Sequence, residues 1–121
     1  MEYRLCGQAP DAYVECLPDG GVIASEQDAL NLVGACGEFD TQRLLLHAGN
    51  LPPAFYDLKT GLAGAVLLKF SNYWIKAAAV LTPELVGSSR FSEMVLEANH
   101  RGTLFRVFYE RDKAVEWLLR D

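Results

Sequence analysis

The chain has 121 residues, half of them hydrophobic and 22% charged, with 11 Lys plus Arg against 16 Asp plus Glu and a net charge of −5. That length suits one globular domain, and the acidic balance disfavours both phosphate-backbone recognition and adsorption to anionic membranes. No apolar run approaches the roughly 18–20 residues of a membrane span, and Met1-Glu2-Tyr3-Arg4-Leu5-Cys6 lacks the layout of a secretion signal, so the expected setting is cytoplasmic.

Residues 2–8 and 13–17 read as two short strands, and Pro10-Asp11 between them predicts a hairpin. A turn at Leu17-Pro18-Asp19-Gly20-Gly21 precedes a helix. Ser25 with Asp28 resembles a capping box, Ala29, Leu30, Val33 and Cys36 recur at helical spacing, and Gly37 is expected to close the helix. Arg43 to His47 is an apolar run consistent with a buried strand. An irregular connection follows through Gly49-Asn50-Leu51-Pro52-Pro53, then a helix over 60–71 with Leu62, Ala63, Val66, Leu67 and Phe70 on one stripe. Residues 73–81 read as a strand, Phe91, Met94, Val95 and Ala98 as a helical face, 103–109 as a strand, and Ala114, Val115, Trp117 and Leu118 as a last helix. The order ββαβαβαβα predicts an α/β fold. Its mixed, mostly parallel sheet would have about five strands, with about four helices.

Cys6, Cys16 and Cys36 are an odd number without a C-x-x-C pair, so neither a closed zinc site nor a disulfide framework is indicated. Cys16 and Cys36 sit among apolar neighbours and read as buried free thiols of a reducing compartment. His47 reads as a hydrogen-bonded strand-end residue, with catalysis the alternative, and His100 beside Arg101 complements a helix C-terminus. No metal or cofactor motif is present.

The unusual stretch is 53–64, which follows a core strand and opens a helix, where open α/β sheets place ligands. Gly61 and Gly64 cost about 1 kcal/mol each against Ala in a helix interior. They would either admit close packing or clear space for an anion at the helix N-terminus. Neither a phosphate-binding P-loop nor a dinucleotide fingerprint is present. Phe55, Tyr56, Asp57, Lys59, Thr60, Gly61, Gly64 and, at the far end of the helix, Lys69 are the candidate ligand or anion contacts. Packing, capping and a snorkelling Lys69 are the structural alternative. Glu97, Asn99 and Arg101 form a second polar cluster, for which helix capping is the competing account.

Gln27-Asp28-Ala29-Leu30, the run from Phe55 to Gly64, Lys69-Phe70-Ser71-Asn72-Tyr73 and the run from Glu97 to Gly102 together resemble the domain-of-unknown-function family 4180. These are small, mostly bacterial proteins, and the likeness runs from about residue 20 to the C-terminus. The family usually has Phe at the position of Tyr56 and Gln at that of Leu68, and it implies no activity. At the level of fold the chain is also similar to STAS-type domains. That resemblance would place a phosphorylatable hydroxyl at Thr60, although the usual D-S-S-G tetrad is replaced by Leu58-Lys59-Thr60-Gly61.

Two functions are therefore expected to compete. One is a non-enzymatic, STAS-like regulatory module, switched at Thr60 and binding a protein partner. The other is a protein or enzyme binding a small anionic molecule at residues 53–64. Either is compatible with a homodimer formed through Phe55 and Tyr56, and neither calls for a cofactor, a metal, nucleic acid or a membrane.

Overall fold

Four short segments, three of them buried on both faces, build the centre of the molecule. The computed structural model describes residues 1–102 and 104–120. Among these residues five strands form one mixed sheet: β1 (Tyr3–Cys6), β2 (Tyr13–Cys16), β3 (Arg43–His47), β4 (Lys76–Val80) and β5 (Phe105–Phe108). They lie in sequence order across the sheet. β1 pairs antiparallel with β2, placing Arg4 opposite Glu15 and Cys6 opposite Tyr13. The pairs β2–β3, β3–β4 and β4–β5 are all parallel.

Among the described residues six α-helices connect or cover the strands: α1 (Glu26–Glu38), α2 (Pro53–Tyr56), α3 (Leu62–Asn72), α4 (Pro83–Val86), α5 (Arg90–Arg101) and α6 (Arg111–Leu119). The expected order holds, with α2 and α4 added as single turns inside the connections that follow β3 and β4. Both begin with Pro at the first helical position, where its missing N–H costs nothing.

Because successive strand residues face opposite ways, the sheet has two cores. Val14, Leu44, Leu46, Ala77, Ala79 and Val107 pack with Ala29, Leu32, Val66, Phe70, Phe91 and Val95 of α1, α3 and α5. Tyr13, Leu45 and Ala78 pack with Ala114, Trp117 and Leu118 of α6. Three crossover helices thus cover one face, while on the other face α6 packs on β3, β4 and β5.

Several boundaries differ from expectation. α1 runs one residue past Gly37, and Asp40 takes the left-handed turn (φ 53°) in its place. Ser25 caps α1 as foreseen, accepting from Asp28 N–H. β4 begins at Lys76 because Tyr73 still closes α3, and Trp74 (φ 58°) turns the chain back towards the sheet. Thr103, expected to open β5, lies outside the described residues. No helix among the described residues is long and apolar enough to cross a membrane.

The connections at the carboxyl ends of β2 and β3 are tied together by one buried side chain. Asn50, fully buried, accepts from His47 N–H at 2.8 Å and donates to the carbonyls of Leu17 at 2.9 Å and Gly21 at 3.1 Å. Its polar atoms are satisfied, as burial of an amide requires. Gly49 beside it admits the Pro18 carbonyl, which a Cβ would meet at 2.2 Å.

Candidate functional site

The chain between β3 and α3 is held by short-range hydrogen bonds. Asp57 Oδ1 accepts from Lys59 N–H at 3.1 Å. The Thr60 hydroxyl shares its proton between the Ala54 carbonyl (2.6 Å) and the Asp57 carbonyl (2.9 Å), and accepts from Leu62 N–H at 3.2 Å. Residues 58–60 form a 3-10 turn, and Gly61 takes the left-handed conformation (φ 77°) before α3 starts at Leu62. Apolar side chains anchor the segment from below. Phe55 is fully buried and lies 6.0 Å, ring to ring, from Phe91 of α5. Tyr56 meets the same Phe91 edge-on at 5.1 Å. Such edge-to-face pairs contribute about 0.5–1.5 kcal/mol each beyond area burial.

Above this aromatic cluster lies a cavity of about 400 Å³, lined by Tyr56, Asp57, Leu58, Lys59, Ser89, Arg90 and Phe91. Its walls are the connections that leave the carboxyl ends of β3 and β4, the position favoured for ligands in open α/β sheets. The Tyr56 hydroxyl is buried and has no hydrogen-bond partner among the described residues, and burial raises its pKa. Neither the Lys59 ammonium nor the Arg90 guanidinium has an ion-pair partner among the described residues. Ser89 caps α5 by accepting from Phe91 N–H at 3.3 Å, and Asp57 is already engaged by Lys59 N–H, so the lining hydroxyl and carboxylate serve the backbone.

The expected site residues separate into three groups. Tyr56, Asp57 and Lys59 line the cavity. Phe55, Thr60 and Gly61 hold the segment in shape behind it. Gly64 and Lys69 lie elsewhere: Gly64 is exposed on α3 with nothing near a would-be Cβ, and Lys69 pairs with Glu26 of α1 at 3.8 Å. The Phe55 and Tyr56 rings point inward rather than forming the exposed aromatic surface a dimer contact would use. In the second cluster, the capping role falls to Gly102, the C-cap of α5. Asn99 instead takes the backbone of β5, with Nδ2 donating to Val107 carbonyl at 3.0 Å and Oδ1 accepting from Val107 N–H at 2.9 Å. Glu97 and Arg101 stay exposed on α5.

A second polar centre, with no counterpart among the expected site residues except His47, occupies the α6 side of the sheet. Glu15 of β2 is 3% exposed. Its Oε1 accepts from Arg4 Nη2 (3.0 Å) and Arg111 Nη2 (2.8 Å), and its Oε2 from Arg111 Nε (2.9 Å). His47 Nε2 lies 2.7 Å from Oε2, and the Cys6 thiol 3.5 Å from Oε1. Arg111 Nη2 also donates to the Tyr13 hydroxyl at 3.1 Å. The Arg111 fork, followed by His47 and Arg4, holds the Glu15 carboxyl far below its ordinary range against the opposing effect of burial. Glu15 in turn raises Arg111. His47 is thus the hydrogen-bonded strand-end residue expected, and its partner is the acid that was not. A buried carboxylate saturated by two guanidiniums and an imidazole is an electrostatic rivet between β1, β2, β3 and α6. Among the described residues no group of three or more His, Cys, Asp or Glu is placed to hold a metal ion.

Among known proteins, no curated protein and no solved structure matches the chain. Residues 8–118 match the family described as a domain of unknown function, DUF4180, and the chain belongs to that family.

Proposed function

We propose that this member of the DUF4180 family is a binding protein for a small anionic molecule, held in the cavity between Tyr56, Lys59 and Arg90. The observation that carries the reading is the Tyr56 hydroxyl. A buried donor without a partner costs about 1–3 kcal/mol, and an acceptor brought by a ligand removes that cost. Lys59 and Arg90, both without ion-pair partners among the described residues, supply the matching charge. The positive end of the α5 dipole adds to it. Binding is favoured over catalysis because Ser89 and Asp57 are spent on backbone N–H groups. The three free thiols suit the reducing, cytoplasmic setting we propose for it.

A STAS-like module switched at Thr60 has less support. Phosphorylation would have to take a hydroxyl whose proton and lone pair already hold Ala54, Asp57 and Leu62.

Calorimetric titration with inorganic phosphate and with acetate tests the anion reading, comparing wild type with Tyr56→Phe and with Lys59→Ala/Arg90→Ala. Loss of a hydrogen bond to a charged group, worth about 1.5–3 kcal/mol, weakens Tyr56→Phe binding by about tenfold or more. The double variant loses binding. A Tyr56→Phe protein with wild-type affinity overturns the assignment.

A further inference from the structure

β1 is a border strand, paired with β2 on one side and with no other strand on its outer side. Which of its main-chain groups face outward follows from Glu2. The Glu2 carbonyl accepts from Leu17 N–H at 3.0 Å and its N–H donates to the Gly20 carbonyl at 2.7 Å, so both are spent on the inner side. Antiparallel ladders alternate, and the main-chain groups of Tyr3 and Leu5 therefore point away from β2. Tyr3, Arg4 and Leu5 are exposed. Gly20 fixes the approach to the strand by packing on Glu2, whose carbonyl an added Cβ would meet at 2.7 Å.

The side chains along this border are apolar on one face and charged on the other. Met1, Tyr3, Leu5 and Val22 are four of the ten large hydrophobic side chains exposed among the described residues, which marks the border as a patch. Tyr3 and Leu5 share the α1 side of the sheet, where the Tyr3 ring meets Phe39 at 6.4 Å. Gly21, the neighbour of Val22, lies against Met1. On the α6 side Arg4 gives Nε and Nη2 to Glu15, which leaves Nη1 uncommitted among the described residues. Glu2 is exposed, and its carboxylate has no ion-pair partner among these residues.

Charges on a short edge ordinarily keep sheets apart. Here their spacing decides which partner is admitted. A second copy joined edge to edge about a two-fold axis runs antiparallel, with outward-pointing residues opposite outward-pointing residues. Centred on Arg4, that pairing sets two guanidiniums against one another, which repels. Centred on Leu5, it brings Tyr3 against Gly7 of the second copy, whose φ of 76° has already left the strand. Centred on Tyr3, it sets Glu2 opposite Arg4 of the second copy, twice over, and Met1 opposite Leu5 of the second copy. Only the last register matches charge with charge.

We infer that the chain forms a two-fold dimer by antiparallel pairing of β1 with β1 of a second copy, in the register centred on Tyr3. The two five-stranded sheets become one continuous sheet. The Tyr3 N–H and carbonyl of each copy bond those of the other. Both Glu2–Arg4 pairs close on the α6 side, and the Tyr3, Leu5 and Met1 side chains cover one another on the α1 side. The Tyr56 cavity takes no part, so the dimer stands or falls independently of anion binding.

Sedimentation velocity on the full chain over a concentration series tests the dimer. The expected mass is twice 13.4 kDa, and a chain that stays at 13.4 kDa up to the highest concentration overturns the proposal. Glu2→Arg leaves the β2 ladder untouched but turns both cross-strand attractions into repulsions, and weakens the dimer by about tenfold or more. Tyr3→Pro removes an outward-facing N–H, a change edge strands tolerate, and abolishes the dimer. A dimer indifferent to both variants lies on another surface and overturns the β1 assignment. Oxidative cross-linking in a Cys6→Ser background reads the register. Tyr3→Cys faces its own copy at about 5.5 Å between Cα atoms, within disulfide reach, and cross-links. Leu5→Cys stands about 14 Å from its own copy and does not. Cross-linking through Leu5→Cys in place of Tyr3→Cys overturns the register.

Discussion

Arg111 grips Glu15 in a two-point fork, Nε to Oε2 at 2.9 Å and Nη2 to Oε1 at 2.8 Å, tying the first turn of α6 to β2 across 96 positions of sequence. The fork matters because Glu15 is 3% exposed while the side chain of Arg111 is 40% exposed. The acid cannot regain water if its partner is removed, but the guanidinium can. Removing the acid leaves Arg4, Arg111 and His47 facing one another. Arg111→Ala, which strands the buried acid, is expected to lower unfolding stability by about 3 kcal/mol, the scale of a broken buried pair, read from urea unfolding midpoints at constant slope.

The same carboxyl makes stability depend on acid. Its folded-state pKa lies below the ordinary glutamate value, so below that ordinary value the unfolded chain binds more protons than the folded one. The Glu15 contribution is fully present above the ordinary value near pH 4.3 and is lost as pH falls through the folded-state value. Thermal unfolding midpoints of the wild type should fall steeply below about pH 4. In Glu15→Gln that acid limb should flatten while neutral-pH stability is already lower. An unchanged acid limb would mean that other carboxylates set it.

Gly61 and Gly64, which look equivalent in the sequence, should respond in opposite directions. Gly61 sits at φ 77°, which a Cβ disfavours by roughly 1–2 kcal/mol, so Gly61→Ala destabilises by about 1 kcal/mol. Gly64 is helical and exposed with nothing within 4 Å of an added Cβ, so Gly64→Ala stabilises by about 0.5–1 kcal/mol. Chemical denaturation of the two single variants checks both signs.

The three thiols should differ in reactivity. Burial pushes Cys16 and Cys36 up to about 12 each, leaving almost no thiolate at neutral pH. Cys6 is half-buried at the edge of the Glu15 cluster. Alkylation of the native protein followed by mass spectrometry is expected to label Cys6 alone, with Cys16 and Cys36 reacting only after unfolding.

Thr60→Val keeps the shape of the side chain and removes its hydrogen bonds. It should cost about 1 kcal/mol of stability while leaving anion affinity at the Tyr56 cavity unchanged, measured by paired unfolding and titration. Partner capture that depends on Thr60 without any stability change would favour the regulatory reading.

Local chemistry made much of the fold readable. The bounds of β3 coincide with the apolar run, and the Ser25 cap and the α1, α3, α5 and α6 stripes follow from helical spacing. Tyr73 and Trp74 misled because aromatic residues favour strands, whereas here they are exposed and turn the chain between α3 and β4. The cavity was half readable. Residues 56–59 announced themselves through turn and glycine signals, but Ser89 and Arg90 arrive from a different crossover, and no local pattern links the two. Glu15 was hidden for a related reason. In Tyr13-Val14-Glu15-Cys16 an acid between apolar residues reads as the solvent side of an alternating strand, yet all four are buried. The groups that make burial tolerable for it come from 11, 32 and 96 positions away.

Asn99 gives the sheet a polarity of growth. Its amide offers Val107 the same donor–acceptor pair that a neighbouring strand would, so α5 supplies a one-residue surrogate for a sixth strand. Chain from another molecule can extend the sheet past Val107 only by first displacing that side chain. The opposite border, β1, is four residues of exposed backbone with Tyr3 and Leu5 partly open to solvent. Strand exchange between molecules, when the protein is crowded or partly unfolded, would therefore start from the hairpin end and proceed in one direction.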